Sequence, residues 1–125
     1  MLAGCGAFAN LLELDFFNKR LGDAGVVQLA ASVFADNALP QLKWLGLRHN
    51  GVCDAGGRTL ADAIVQRDSL GSLVTLDLSQ NNISDEVLTT LKDALATVPC
   101  MRTLFYSNGD ARVRFKLIDA HASHP

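Results

Sequence analysis

The sequence predicts an α/β fold made of stacked strand–loop–helix units, and three observations lead to this prediction. A pattern of apolar residues recurs along the chain at a spacing of 31 residues. The first part of each copy alternates apolar and other residues, as expected of a short strand with one buried face. The second part places apolar residues at i and i+4, which lie on one face of a helix. A single unit of this kind has nothing against which to bury its apolar face, so the units are expected to stack.

Three copies of the pattern follow one another without insertions. The two most regular read Leu42-x-x-Leu45-x-Leu47-x-x-Asn50-x-Val52 and Leu73-x-x-Leu76-x-Leu78-x-x-Asn81-x-Ile83, and the first reads Leu11-x-x-Leu14-x-Phe16-x-x-Lys19-x-Leu21. Two further apolar columns belong to the helices, with the members Leu29, Leu60 and Leu91 and the members Val33, Ile64 and Leu95. Six apolar columns, each filled in all three copies, indicate a structural repeat.

Two polar positions recur with the apolar ones, and we expect both to serve the fold. Asp23, Asp54 and Asp85 are identical in the three copies and stand where each helix should begin, which predicts that they act as N-caps. Asn50 and Asn81 stand where the chain turns out of a strand. Their amides can bond to backbone groups that stacking would otherwise bury unpaired, which favours a structural role over a catalytic one.

These residues resemble the leucine-rich repeat, specifically the long-repeat subclass that includes the ribonuclease inhibitor, Ran GTPase-activating protein, tropomodulin and NOD-like receptors. The first copy departs from the family pattern, with Lys19 in place of Asn and Phe16 in place of Leu. A degenerate fourth copy reads Met101-x-x-Leu104-x-Tyr106-x-x-Gly109. The resemblance implies a right-handed solenoid with a short parallel sheet on its concave face and helices on its convex face. Function varies within the family, so the resemblance alone does not select one.

The predicted organisation is one repeat array followed by a C-terminal segment. Residues 1–109 form the array, with a half repeat at 1–10, repeats starting at 11, 42 and 73, and the degenerate repeat from 101. Residues 110–125 form a capping strand and tail, because 112–117 alternates basic and apolar residues as an edge strand would. A basic recruitment tail is the alternative. The opening half repeat suggests a segment of a longer array and allows self-association through its N-terminal edge.

Composition narrows the function classes. The 125 residues are 49% hydrophobic and carry 11 basic against 13 acidic side chains, which argues against a disordered chain and against a nucleic-acid binder. No apolar run has the length of a membrane span. Three widely spaced cysteines, Cys5, Cys53 and Cys100, favour reduced thiols and a cytoplasmic location.

Residues arranged for catalysis are scarce, so we predict no enzyme activity, no cofactor and no metal. No phosphate-binding glycine loop is present, and the pair Gly56-Gly57 is better explained by close packing at a helix start. His49 could meet Asp77 only if their columns can touch across neighbouring strands, and the pair lacks a convincing nucleophile. The motif His121-x-x-His124 offers only two ligands on a tail.

The predicted partner-binding surface is the concave face, formed by the strand residues that alternate with the leucines. Its columns are Glu13, Trp44, Thr75 and Thr103; Asp15, Gly46, Asp77 and Phe105; Phe17, Arg48, Ser79 and Ser107; and Asn18, His49, Gln80 and Asn108. Tryptophan and arginine are the types that most often dominate binding energy. The candidate binding residues are therefore Trp44, Arg48, His49, Asp15, Asp77, Phe17 and Phe105. For Phe17 and Phe105, packing at the two ends of the array is the competing interpretation.

The function predicted from these features is a non-enzymatic protein–protein interaction module that binds a protein partner through the concave face. Two alternatives remain open. The chain could regulate a GTPase or another enzyme, in the manner of Ran GTPase-activating protein or an active-site inhibitor. It could also be a purely structural segment of a larger repeat protein.

Overall fold

The computed structural model describes residues 10–32, 39–67, 70–108 and 113–116, and it confirms the predicted α/β class. Strands and helices alternate along most of the chain. They are β1 Glu13–Asp15, α1 Gly22–Ser32, β2 Trp44–Gly46, α2 Asp54–Arg67, β3 Thr75–Asn81, α3 Asp85–Leu95, β4 Thr103–Asn108 and β5 Val113–Lys116. The half repeat before residue 10, Val33 and the tail beyond residue 116 lie outside the described residues.

The described strands form one sheet in the order β1-β2-β3-β4-β5. The first four are parallel, and β5 pairs antiparallel with β4 at the edge of the sheet. The strand predicted within 112–117 is therefore present over 113–116. Parallel neighbours require a crossover, and each helix supplies one between consecutive parallel strands.

The core lies between the sheet and the helices. The strand leucines Leu45, Leu76 and Leu104 are fully buried in one cluster with helix residues such as Leu60 and Leu91. The same pattern in the first copy is only partly buried, because Leu14, Phe16 and Leu21 pack against one side of this cluster. The predicted apolar columns therefore form the interior.

Asn50 and Asn81 have the predicted structural role. The side-chain oxygen of Asn81 accepts the backbone N–H groups of Asn50 and Val52, both at 3.0 Å, and its amide donates to the carbonyl of Leu47 at 2.9 Å. Asn50 repeats the arrangement one unit earlier, where it accepts from Lys19 at 2.8 Å. Each asparagine therefore joins its own turn to the turn of the preceding unit.

The N-cap prediction for the recurring aspartates is wrong. Asp23 accepts the N–H of Cys53 at 2.7 Å, and Asp54 accepts the N–H of Ser84 at 2.7 Å, in each case from the following unit. The cap of α3 is instead Ser84, whose hydroxyl accepts from Val87 at 3.4 Å. A carboxylate in the first turn of a helix can accept a hydrogen bond from a backbone N–H of its own helix or of the next unit. Here the donor is the N–H at the start of the neighbouring helix.

Two glycines let neighbouring helices approach closely, as the sequence predicted. A Cβ on Gly56 would lie 2.5 Å from the Asp23 Oδ1 atom, and one on Gly57 would lie 2.8 Å from the Val87 Cγ1 atom. Both positions therefore exclude larger residues at the α1–α2 and α2–α3 contacts.

Candidate partner-binding surface

The face of the sheet opposite the core carries two columns of side chains, which we name the open face. The register of the parallel strands aligns them as the sequence predicted: Glu13, Trp44, Thr75 and Thr103 in one column, and Asp15, Gly46, Asp77 and Phe105 in the other. Their neighbours in the sequence are the buried leucines, so alternation along each strand directs these side chains away from the core.

Trp44 lies over Gly46, the next residue on the same face of β2. A Cβ built on Gly46 would meet the Trp44 ring at 2.4 Å (Cη2) and 2.7 Å (Cζ3), and the Asp15 Oδ1 atom at 2.8 Å. The absent side chain of Gly46 therefore provides the space that the indole occupies. Trp44 itself remains half-exposed, with the carboxylate of Asp15 beside its ring.

Asp15 and Asp77 flank Gly46 on the neighbouring strands. Each uses its Oδ1 atom to accept the N–H two residues further along, from Phe17 at 2.9 Å and from Ser79 at 3.0 Å. In the part of the chain that the structure describes, neither carboxylate forms an ion pair, and the second oxygen of each accepts no hydrogen bond. Among the described side chains, the open face therefore presents two carboxylates without an ion pair, one on each strand beside β2.

Phe17, Arg48 and His49 form a second cluster beyond the ends of β1 and β2. The Arg48 guanidinium carbon lies 5.4 Å from the centroid of the Phe17 ring, within the range of a cation–π contact. The Phe17 and His49 rings are 6.2 Å apart and tilted by 41°. Phe17 nevertheless remains 47% exposed, and among the described residues the buried Nε of Arg48 has no hydrogen-bond acceptor. The structure thus brings together three of the predicted binding residues.

The fourth predicted column lies at the rim of the sheet rather than on its face. Asn18, His49 and Gln80 adopt left-handed backbone conformations, with φ of 53°, 58° and 59°, which break the alternation of a strand. They line an open groove of about 860 Å³ together with Arg20 and Asn82. Sequence reasoning missed Arg20, whose φ of 56° is signalled only by Gly51 at the equivalent place in the next copy.

Three further predictions concern the His49–Asp77 pair, Ser107 and Phe105. His49 and Asp77 are not joined, because the His49 ring contacts Phe17 while the Asp77 carboxylate accepts from the backbone of Ser79. Ser107 is buried, not exposed, and its hydroxyl accepts the N–H of Gln80 at 2.9 Å. Phe105 is half-buried, and its strand position pairs with Arg114 of β5.

The described residues add few other chemical features. Cys53 is half-buried and Cys100 is exposed, and both are free thiols, whereas Cys5 lies outside these residues. In the same residues, no group of three or more histidine, cysteine, aspartate or glutamate side chains is placed to hold a metal ion. None of the three described helices has the length and apolar character needed to cross a bilayer. The His121 and His124 pair lies outside the described residues.

Comparison with known proteins adds no assignment. No protein-family model matches the chain, and no curated protein matches it either. The open face and the Phe17–Arg48–His49 cluster are therefore the observations from which a function can be argued.

Proposed function

We propose that this chain is a leucine-rich repeat module that binds a protein partner through the open face and the Phe17–Arg48–His49 cluster. It has no catalytic role of its own in this proposal. The observation that carries it is the position of Trp44 and Arg48. Both lie on the side of the sheet away from the core, and both are held by contacts that leave them partly exposed.

The bonds between units support a solenoid. Each recurring asparagine accepts a hydrogen bond from a backbone N–H in the turn of the preceding unit. Asp23 and Asp54 each accept a hydrogen bond from a backbone N–H of the following unit. Interactions that repeat only between neighbours are the defining property of stacked repeats. In this arrangement the open face is the concave side, and the three helices lie on the convex side.

The chemistry of the exposed residues supports binding to a protein. Tryptophan and arginine are enriched among the residues that contribute most to interfaces, because each combines a large apolar area with polar groups. The Phe17 ring is 47% exposed although it sits beside the guanidinium of Arg48. A partner that covered these groups would bury apolar area that the fold leaves in water.

The dimensions of the face define the size of the contact. Its four parallel strands, at about 4.8 Å spacing, give a width of roughly 15–20 Å. A typical interface buries about 800 Å² on each partner. The face therefore suits a peptide segment or a small patch, and a full-sized interface would extend onto the rim groove.

The test compares the unchanged chain with the double variant Trp44→Ala/Arg48→Glu in affinity capture from a lysate of the source cells. The expected result is loss of one specific protein, with the free energy of unfolding changed by no more than about 1–2 kcal/mol, as for surface substitutions. The matched control is Val65→Ala/Arg58→Glu, which makes the same kind of changes at exposed positions of α2. It should retain the captured protein.

Identical capture by both double variants would refute binding through this face. The chain would then be better described as a structural segment of a repeat protein, with binding carried elsewhere. Loss of capture by both variants would show that the effect does not depend on the face, and this too would contradict the proposal.

A further inference from the structure

We propose that the protein partner of the open face also carries an acidic segment, whose aspartate or glutamate side chains bind in the rim groove beside Arg20 and His49. The rim groove is the open groove of about 860 Å³ that is lined by residues of the turns following β1, β2 and β3. This inference rests on the proposed function and names the chemistry of the partner. It is carried by four basic side chains of these turns, which have no acidic partner in the described part of the chain.

The turns that line the groove are basic. Residues 17–21, 48–52 and 79–83 contain no aspartate or glutamate. The basic residues of the first two turns are Lys19, Arg20, Arg48 and His49. Because neighbouring strands are about 4.8 Å apart, these two turns bring all four side chains to one end of the sheet. A surface lined by one sign of charge attracts ligands of the opposite sign, so this end of the sheet favours an anionic ligand.

The aspartates that flank these turns do not pair with the basic side chains. Among the described residues, none of the four basic side chains forms an ion pair. Backbone N–H groups bond instead, at 2.7–3.0 Å, to the carboxylates of Asp15, Asp23, Asp54 and Asp77. The Nε atom of Arg48 is buried, and no acceptor reaches it from the described residues. The basic groups are therefore available to acceptors that a partner supplies.

The groove also offers uncharged groups that suit a peptide backbone. Asn18, Gln80 and Asn82 line it, and within the described structure their side-chain amides form no hydrogen bond. An amide both donates and accepts, so it can bind the N–H and C=O groups of an extended chain. The backbone N–H groups of Arg20 and Gly51, at equivalent places in the first two turns, likewise have no acceptor among the described residues. These neutral groups favour an acidic peptide over a simple anion such as phosphate.

The groove adjoins the exposed ring of Phe17, which defines the length and composition of the segment. His49 lines the groove, and its ring lies 6.2 Å from the ring of Phe17, which is 47% exposed. Three turns at about 4.8 Å spacing span roughly 10 Å, the length of about three residues of extended chain. We therefore expect a short segment in which one or two acidic residues stand beside an apolar residue that covers Phe17.

The experiment selects ligands from a phage-displayed library of random linear peptides on the immobilised full chain. The affinity of the corresponding synthetic peptides is then measured by fluorescence polarisation. The rim variant is Lys19→Gln/Arg20→Gln, which removes two exposed charges from the first turn and leaves the open face unchanged. The matched control is Lys43→Gln/Arg102→Gln, which removes two exposed charges just before β2 and β4, at the other end of the sheet. Peptides with glutamine and asparagine in place of glutamate and aspartate serve as ligand controls.

The expected result is enrichment of aspartate or glutamate among the selected peptides. Amide replacement in the peptide and the rim variant should each weaken binding roughly tenfold, as expected when two exposed ion pairs are lost. The matched control should bind as the unchanged chain does. Added salt should weaken binding to the unchanged chain more than binding to the rim variant, because exposed charges are screened.

Three other results would overturn the inference, and they are distinguishable. Equal weakening by the rim variant and its matched control would indicate attraction by overall charge instead of binding in the groove. Peptides that lose binding with Trp44→Ala/Arg48→Glu but bind the rim variant unchanged would retain the proposed function and refute the acidic segment. If the selected peptides lose binding with neither of these variants, the open face and the groove are not the binding surface. The proposed function would then fail together with this inference.

Discussion

Replacement of Asn81 by alanine tests whether the asparagine ladder holds the repeats together. Asn81 is 3% exposed and bonds to five backbone groups. Two of these are N–H donors from the preceding unit, and the other three are carbonyls within 3.3 Å of its amide. Alanine removes all five of these hydrogen bonds, and the backbone groups stay in place without their side-chain partner.

The expected loss is about 3–5 kcal/mol in the free energy of unfolding. Each buried donor left without an acceptor costs roughly 1–3 kcal/mol, and the N–H groups of Asn50 and Val52 both lose theirs. The unpaired carbonyls add a smaller amount, since a carbonyl tolerates incomplete pairing better than an N–H. A domain of this size has a total stability of about 5–15 kcal/mol. The variant is therefore expected to be folded but markedly weakened.

Urea unfolding followed by circular dichroism measures this loss, with Asn82→Ala as the control. Asn82 is the exposed neighbour in the same turn, so its replacement should change stability by no more than about 0.5 kcal/mol. Asn50→Ala is a milder version of the same change, because its bonds to Lys19 and Leu21 lie in a partly buried turn. A loss for Asn81→Ala below about 1 kcal/mol, or below that of Asn50→Ala, would refute the reasoning. If Asn81→Ala does not fold, a loss for Asn50→Ala clearly above that for Asn82→Ala decides the question.

Two further predictions concern contacts between neighbouring units. Gly57→Ala should lower the free energy of unfolding by about 1–2 kcal/mol, because the new methyl group would lie 2.8 Å from the Val87 side chain, and urea unfolding would contradict this if stability were unchanged or higher. The backbone N–H of Ser84, and after it the Ser84 side chain, holds the pKa of Asp54 below its ordinary value. The charged carboxylate therefore stabilises the fold above the unfolded-state pKa, and this contribution is lost as pH falls through the folded-state pKa. Asp54→Asn should be less stable than the unchanged chain at neutral pH, with the difference shrinking below about pH 4, and a difference independent of pH in unfolding curves would contradict the assignment.

The sheet register was predictable because three copies share one spacing. A spacing of 31 residues places Glu13, Trp44 and Thr75 at the same strand position, and the observed pairing agrees. The fourth copy follows the third at a shorter spacing than the one that separates the first three copies. The pairing of β3 with β4 also shifts its register between Leu78 and Asn81. This shift is a local property of one strand pair, so column reasoning wrongly placed Ser107 on the surface, whereas it is buried.

The turns at the strand ends were less predictable, because their residues differ in every copy. Asn18, His49 and Gln80 share a left-handed conformation, although no glycine marks that position. The first two of these turns owe their shared backbone to the neighbouring unit, since the N–H groups of Lys19 and Asn50 each bond to the recurring asparagine of the next copy. A contact between units therefore determines a conformation that the local sequence does not signal. The rim groove was missed for this reason.

The helix-start aspartates were misassigned for a related reason. Both a local N-cap and a bond to the next unit need one oxygen acceptor at the start of a helix. Ser84 provides its own helix with a cap, and its N–H is then available to Asp54. The choice depends on the distance between neighbouring helices, which the glycines at 56 and 57 reduce. No single copy of the pattern contains that information.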